Sequence, residues 1–322
     1  MRLATLLNDT PDGQLIVVSA DSARYLVAGP DMPSLQAAIE RWEEAHTPLR
    51  TLQNLLDDGE GEALDHRRLM AALPRAWQWL DGSVYPSHGA LMDQALGIAK
   101  PKIEFPLMYQ GASDRFHSPT DDIAIPSEDL GIDFEGEFGV IVDAVPMGTS
   151  ATDALRHIKL LVQINDWSLR TLAGPEMRTG FGWIQAKPHC SMAPIAVTPD
   201  ELADAWRGGR PCLDLLVDWN GERFGCVNGE PMEYGFHELV AHAARTRPLV
   251  AGTVIGSGTV SNANFREVGS SCIAERRGIE VIDLGEAQTS FMKFGDMVTM
   301  TAVTDDGRAP FGTISQKVVR YA

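Results

Sequence analysis

The sequence predicts a β-rich α+β protein, a mixed β-sandwich or roll carrying short helices. Leu213, Leu215 and Val217 alternate with Asp214 and Asp218. They run into Asn220-Gly221, the dipeptide of a two-residue hairpin, before Arg223-Phe224. Val298, Met300 and Ala302 alternate in the same way, and Asp305-Asp306-Gly307 separates them from Phe311, Thr313 and Ser315. Helical patterns after residue 170 are confined to 199–206 and 236–245, and Ile279-Val281-Asp283 reads as a further strand. Strand and helix do not alternate regularly, which argues against a doubly wound sheet.

Earlier in the chain the pattern is mixed. Leu15-Ile16-Val17-Val18 and Tyr25-Leu26-Val27-Ala28 read as short strands around the turn Asp21-Ser22. Ser34, preceded by Pro33, opens a helix with Leu35, Ala38, Ile39 and Trp42 at helical spacing. A second helix is predicted from Pro48 to Leu56, ended by Asp57-Asp58-Gly59, and Gly59-Glu60-Gly61-Glu62 reads as a solvated linker. Residues 1–80 therefore read as a small N-terminal α/β domain and 81–322 as the main body. Within that body Asp122-Ile-Ala-Ile-Pro126 and residues 131–142 are strand-like. Thr149 or Ser150 caps a helix expected through Ala154, Ile158 and Leu161.

Composition limits the partners. The chain has 322 residues, 44% apolar and 22% charged, as expected of a protein with a sizeable core. A net charge of −17 argues against nucleic acid or an anionic membrane surface, both of which need a basic patch. It also favours bound cations. Polar residues begin at Asn8-Asp9, too early for a secretory signal, and no apolar run is long enough to span a membrane. Cys190, Cys212, Cys226 and Cys272 are dispersed without paired metal-ligand spacing, which predicts reduced thiols in the cytoplasm.

The candidate chemistry starts at Glu135 and Glu137. Two residues apart in a strand, both carboxylates project from one face and repel. Phe134, Phe138, Val140 and Val142 turn toward a core. Taken alone, such a pair is simply a wet face. Asp114, in Gly111-Ala-Ser-Asp, and Asp166, ending an apolar segment, read alone as turn or cap residues.

Four pieces in series alter that reading: Asp133-Phe-Glu135-Gly-Glu137, Asn165-Asp166-Trp-Ser-x-Arg170, Gly256-Ser-Gly-Thr259-Val-Ser261 and Phe294-Gly-Asp296. In this order they resemble the signature of the fumarylacetoacetate hydrolase family over residues 80–322, and residues 1–80 resemble the N-terminal domain of its longer members. The resemblance implies a β-rich fold in which Asp114, Glu135, Glu137 and Asp166 hold Mg²⁺ or Ca²⁺, with Mn²⁺ also possible. Oxygen ligands from carboxylates independently suit hard cations. It further implies that Arg170, Lys187 and Thr259 bind a small anionic keto acid, and that the protein is a homodimer.

The implied base is a His held by a Glu. Glu275 lies at the position of that Glu. The family's His follows its first metal Asp by seven residues. Counted from Asp114, that position holds Asp121; His117 lies only three residues on, and His88 resembles the lid His of shorter members. The lid Glu expected three residues later is Leu91, and a Gln expected after Arg170 is Ala173. The catalytic candidates are thus His88, His117 and Glu275. The expected activity is metal-dependent hydrolysis of a carbon–carbon bond in a β-diketo or acylpyruvate-type acid. The alternatives are a decarboxylase, hydratase or tautomerase of a 2-keto acid, or a catalytically reduced ligand-binding member.

Overall fold

The computed structural model describes residues 1–96 and 103–321 of the chain. The N-terminal part runs through strands Arg2–Leu6, Gln14–Val18 and Arg24–Val27, helices α1 (Leu35–Glu40) and α2 (Trp42–Asp57), and a short strand Glu62–Ala63. Ser34 caps α1 as expected, its side chain accepting the Ala37 N–H. Pro48 does not start a helix. It lies inside α2, because Trp42, Ala45, Leu49 and Leu56 form one buried stripe that begins a turn and a half earlier.

Strand Trp79–Ser83 leads into α3 (Pro86–Leu96), and strand Leu107–Gly111 follows. The strands Ile123–Ile125 and Gly136–Val142 lie where expected. The helix after Ser150 is shorter than predicted. Ser150 caps α4 (Ala151–Ala154), and Ile158–Asn165 is a strand with seven of its eight residues buried. Its β-branched apolar run is covered on both sheet faces, which overrides the helical spacing of Ile158 and Leu161.

Helices α5 (Arg170–Thr179), α6 (Phe236–Ala243), α7 (Phe265–Val268) and α8 (Ile273–Leu284) complete the set among the described residues. α8 overturns the strand reading of Ile279-Val281-Asp283. Cys272 caps its start, Gly285 at φ +87° ends it, and its buried residues Ile273, Glu275, Gly278 and Ile279 follow helical spacing. The hairpins are as predicted: Asp214–Trp219 pairs antiparallel with Glu222–Asn228, and Asn220 and Gly221 take φ of +52° and +81°.

Two large sheets organise the chain. The order of the first is Glu62–Ala63, Arg24–Val27, Gln14–Val18, Arg2–Leu6, Ile195–Val197, Ile158–Asn165, Gly136–Val142, Thr253–Gly256, Trp79–Ser83 and Leu107–Gly111. Ser191–Met192 also pairs with Ile158–Asn165. The N-terminal strands therefore continue the main sheet across residue 80. The second sheet runs Glu222–Asn228, Asp214–Trp219, Met297–Val303, Thr313–Arg320 and Ile123–Ile125.

Successive strand residues serve two cores. Phe138, Val140 and Val142 join Leu215 and Met300 on one face, whereas Ile141 packs with Leu160, Val162 and the residues of α1 and α2 on the other. Glu137, in the same strand, is fully buried with no apolar role.

Candidate active site

The acidic side chains of the site come from interior strands of this sheet: Asp166 from the end of Ile158–Asn165, Glu135 and Glu137 from the start of Gly136–Val142, and Asp81 from Trp79–Ser83. The Asp166 N–H donates to the Glu135 carbonyl at 2.9 Å, and the Glu135 N–H donates to Asn165 Oδ1 at 3.0 Å. These bonds hold the two carboxylates at adjacent strand ends. Glu137 sits two residues on, and Asp81 comes from Trp79–Ser83, across the Thr253–Gly256 strand. Asp81, Glu137 and Asp166 each offer an oxygen within 4.8 Å of the others, and all three are buried.

Asp81 was not among the sequence candidates. It accepts the Gly258 N–H at 3.0 Å. That approach requires glycine: Gly258 has φ +77°, and a Cβ there would lie 2.5 Å from the Gly82 carbonyl oxygen. Asp81 precedes His88 by seven residues, the spacing that counting from Asp114 failed to give.

Asp114 is a correction. It follows the Leu107–Gly111 strand into a surface turn, its side chain is 78% exposed, and His189 Nε2 lies 3.1 Å from its Oδ1. It takes no part in the buried cluster. His117 is also apart, with its Nδ1 3.7 Å from Asp121 and its ring facing His189. His88, at the start of α3, places Nδ1 2.8 Å from Glu275 Oε2, and Glu275 is fully buried on the first turn of α8. Of the two histidine candidates, His88 is the one that meets Glu275.

The predicted cations surround the cluster. Lys187, 7% exposed, donates to Glu135 at 2.7 Å and to Asp166 at 2.5 Å. Arg170 donates from Nε to Asp133 at 2.7 Å and places Nη2 2.5 Å from Glu135. Asp133 also accepts the N–H groups of Ile273 and Ala274, so it ties Arg170 to the N-terminus of α8. Thr259, next to Gly258, is buried.

Five carboxylates, Asp81, Asp133, Glu135, Glu137 and Asp166, meet two permanent cations here, an excess of three negative charges were all five ionised. Two full charges 4.8 Å apart repel by about 3.5 kcal/mol at an effective dielectric of 20. The protonation pattern follows. Burial, with the Asp166 charge added, pushes Asp81 up to about 8. Burial and the Asp81 charge push Glu137 well up. Burial opposes ionisation of Glu135, but the Lys187 and Arg170 charges outweigh it and hold its carboxyl well below the usual range. Lys187 is itself raised, because Asp166 and Glu135 outweigh its burial.

Glu137 is fully buried, yet among the described residues neither of its oxygens accepts a hydrogen bond, and the Asp81 carboxyl beside it can be met only through a retained proton. An orphaned carboxylate among oxygen-only donors fits a hard divalent cation. Asp81, Glu137 and Asp166 would hold it, with Glu135 beside them.

Residues 78–319 match the family model described as fumarylacetoacetate (FAA) hydrolase C-terminal, and residues 1–75 match fumarylacetoacetase N-terminal domain 2. The chain belongs to the fumarylacetoacetate hydrolase family. It is 27% identical to 2,4-didehydro-3-deoxy-L-rhamnonate hydrolase of Sphingomonas sp. over 52% of this chain and 57% of that protein. It therefore spans little more than half the length of that relative. It is also 24% identical to the human mitochondrial oxaloacetate tautomerase FAHD2B over 65% of this chain and 69% of that one.

Solved structures agree on the fold over both full chains. The fumarylacetoacetate hydrolase of Exiguobacterium antarcticum superposes with a TM-score of 0.69 at 20% identity. Maleylpyruvate hydrolase of Sphingobium sp. SYK-6, in complex with manganese(II) and pyruvate, gives 0.66 at 16%. No helix among the described residues is long and apolar enough to cross a membrane.

Proposed function

We propose that this protein is a divalent-metal-dependent hydrolase of acylpyruvate-type β-diketo acids. It would split the carbon–carbon bond between an acyl group and pyruvate. The observation that carries this reading is the His88–Glu275 pair, 2.8 Å apart, with His88 within electrostatic reach of Glu135. The maleylpyruvate hydrolase of similar fold, crystallised with manganese and pyruvate, supports the substrate class and the divalent ion.

A divalent cation held by Asp81, Glu137, Asp166 and Glu135 would supply the charge that stabilises an enolate oxygen. The chain's own residues do the rest. Glu275 accepts the Nδ1 proton of His88, which fixes the tautomer and leaves Nε2 free as a base. Nε2 takes a proton from water as its oxygen bonds to the acyl carbonyl carbon. The bond from that carbon to the methylene breaks, and its electron pair passes into the pyruvate part. The proton on Nε2 returns to the methylene carbon, giving pyruvate and a carboxylic acid. Lys187 balances the negative oxygens. Arg170, engaged with Asp133 and Glu135, keeps Glu135 ionised and oriented.

The human tautomerase supports a second reading, in which the same pair moves a proton between carbon and oxygen of a 2-keto acid. Product analysis separates the two: acylpyruvate yields two shorter acids, whereas oxaloacetate changes only its enol content. A catalytically reduced member loses its motive, because His88 and Glu275 do meet. Replacing His88 with Asn should cut kcat by about 10²–10⁴-fold, the range for loss of a general base, with Mn²⁺ affinity unchanged. A variant with full turnover would remove His88 from this role.

A further inference from the structure

We propose that Trp183 is a specificity-determining residue, forming with Tyr109 an aromatic wall that selects acids whose acyl part is planar and conjugated or aryl. This rests on the acylpyruvate reading above and names the part of the substrate that the metal and His88 leave unassigned. Trp183 lies in the connection after α5. Its ring packs edge-on against Tyr109 at 4.9 Å between centroids and an interplanar angle of 61°. Tyr109 in turn donates to Asp166 Oδ2 at 2.8 Å. Lys187 Nζ lies 5.4 Å from the Trp183 ring and 5.5 Å from that of Tyr109, so both rings border the ammonium that faces the carboxylates.

The placement of Trp183 is built rather than incidental. Phe181 and Ile184, its large apolar neighbours, are 97% and 83% exposed, while Trp183 alone of the three turns inward. Glu176 of α5 holds the connection in that shape. Its carboxylate accepts the N–H groups of Ile184, Gln185 and Ala186 at 3.1, 2.9 and 3.0 Å, directly before Lys187. One carboxylate thereby fixes the backbone between the aromatic ring and the ammonium. An aromatic ring stacks on a flat π-system and gives little to a small alkyl group.

The test uses the full-length protein loaded with Mn²⁺. Calorimetry compares phenylpyruvate with pyruvate, and steady-state kinetics compare benzoylpyruvate with acetylpyruvate. Wild-type protein is expected to bind phenylpyruvate roughly tenfold tighter than pyruvate, the scale of one aromatic contact. Trp183→Ala should abolish that ratio and raise KM for benzoylpyruvate selectively, whereas Trp183→Phe should keep most of it. An absent wild-type preference, or one that Trp183→Ala leaves intact, overturns the proposal. If the ratio shifts as expected but neither diketo acid is cleaved, the hydrolase reading falls and the aromatic wall stands.

Discussion

Asp166 and Glu137 belong to one buried cluster and have opposite surroundings. Asp166 accepts from Tyr109 and Lys187 on one oxygen and from the Cys190 thiol on the other. Glu137, equally buried, accepts from no group among the described residues. An unsatisfied buried carboxylate is among the costlier features a fold can keep, and here it lies beside one that is fully served. The contrast separates two tasks. Asp166 is set in place by the chain before any ion arrives. Glu137 is left for the ion to satisfy.

Neutralising Glu137 should break that contrast most visibly. Glu137→Gln replaces a carboxyl that burial forces to hold a proton when no ion is bound, so at neutral pH the metal-free variant should melt at a higher temperature than metal-free wild type. The same change should lower Mn²⁺ affinity by more than about 100-fold, beyond the effect of losing an outer partner of a ligand. Thermal melts in chelator and calorimetry with Mn²⁺ measure the two effects, which have opposite sign. A variant that melts lower and binds Mn²⁺ normally would place the ion elsewhere.

A second effect should appear with pH, through Asp81. Its carboxyl titrates near 8 in the folded chain, far above the ordinary aspartate value of 3.8, with burial the main cause. Between these values the folded state holds a proton that the unfolded state has released. Raising the pH therefore favours unfolding, by about 1.4 kcal/mol per pH unit for each such proton. Metal-free protein should lose stability from this source as pH rises from about 4 to about 8, and Glu137, shifted the same way, adds to it. Saturating Mn²⁺ displaces those protons and should flatten the slope. Melting curves across that range, with and without Mn²⁺, check it. Equal slopes would mean that the cluster binds no ion.

Asp166, Arg170 and Lys187 were placed by the family resemblance, whereas Glu135 and Glu137 were legible because their spacing is local, two residues on one strand. The hairpin at Asn220-Gly221 was legible for the same reason, since its backbone angles depend on those two residues. Asp81 was not, because Leu80-Asp81-Gly82 resembles any turn, and the Gly258 N–H that it accepts lies 177 residues later in the chain. One signal did exist: the seven-residue interval to His88. α8 was missed because alternation at Ile279, Val281 and Asp283 hides a helix whose start is set by Cys272 and by the Asp133 carboxylate, 140 residues upstream. The strand at Ile158 was missed because its coverage comes from both layers of the fold.

Asp114 gives the smallest expected effect and the sharpest check on which aspartate completes the site. It is largely exposed, and among the described residues its side-chain partner is His189. Exposed ion pairs of this type contribute about 0–1 kcal/mol. Asp114→Asn should therefore leave Mn²⁺ affinity within about twofold and stability within about 0.5 kcal/mol, as for surface substitutions generally. Asp81→Asn, by contrast, removes an oxygen that lies within 4.8 Å of both Glu137 and Asp166. Measured side by side, the two variants should differ in Mn²⁺ affinity by at least tenfold, because only one of them loses a ligand. Equal losses would return Asp114 to the site, and would require the turn after Gly111 to move inward when the ion binds.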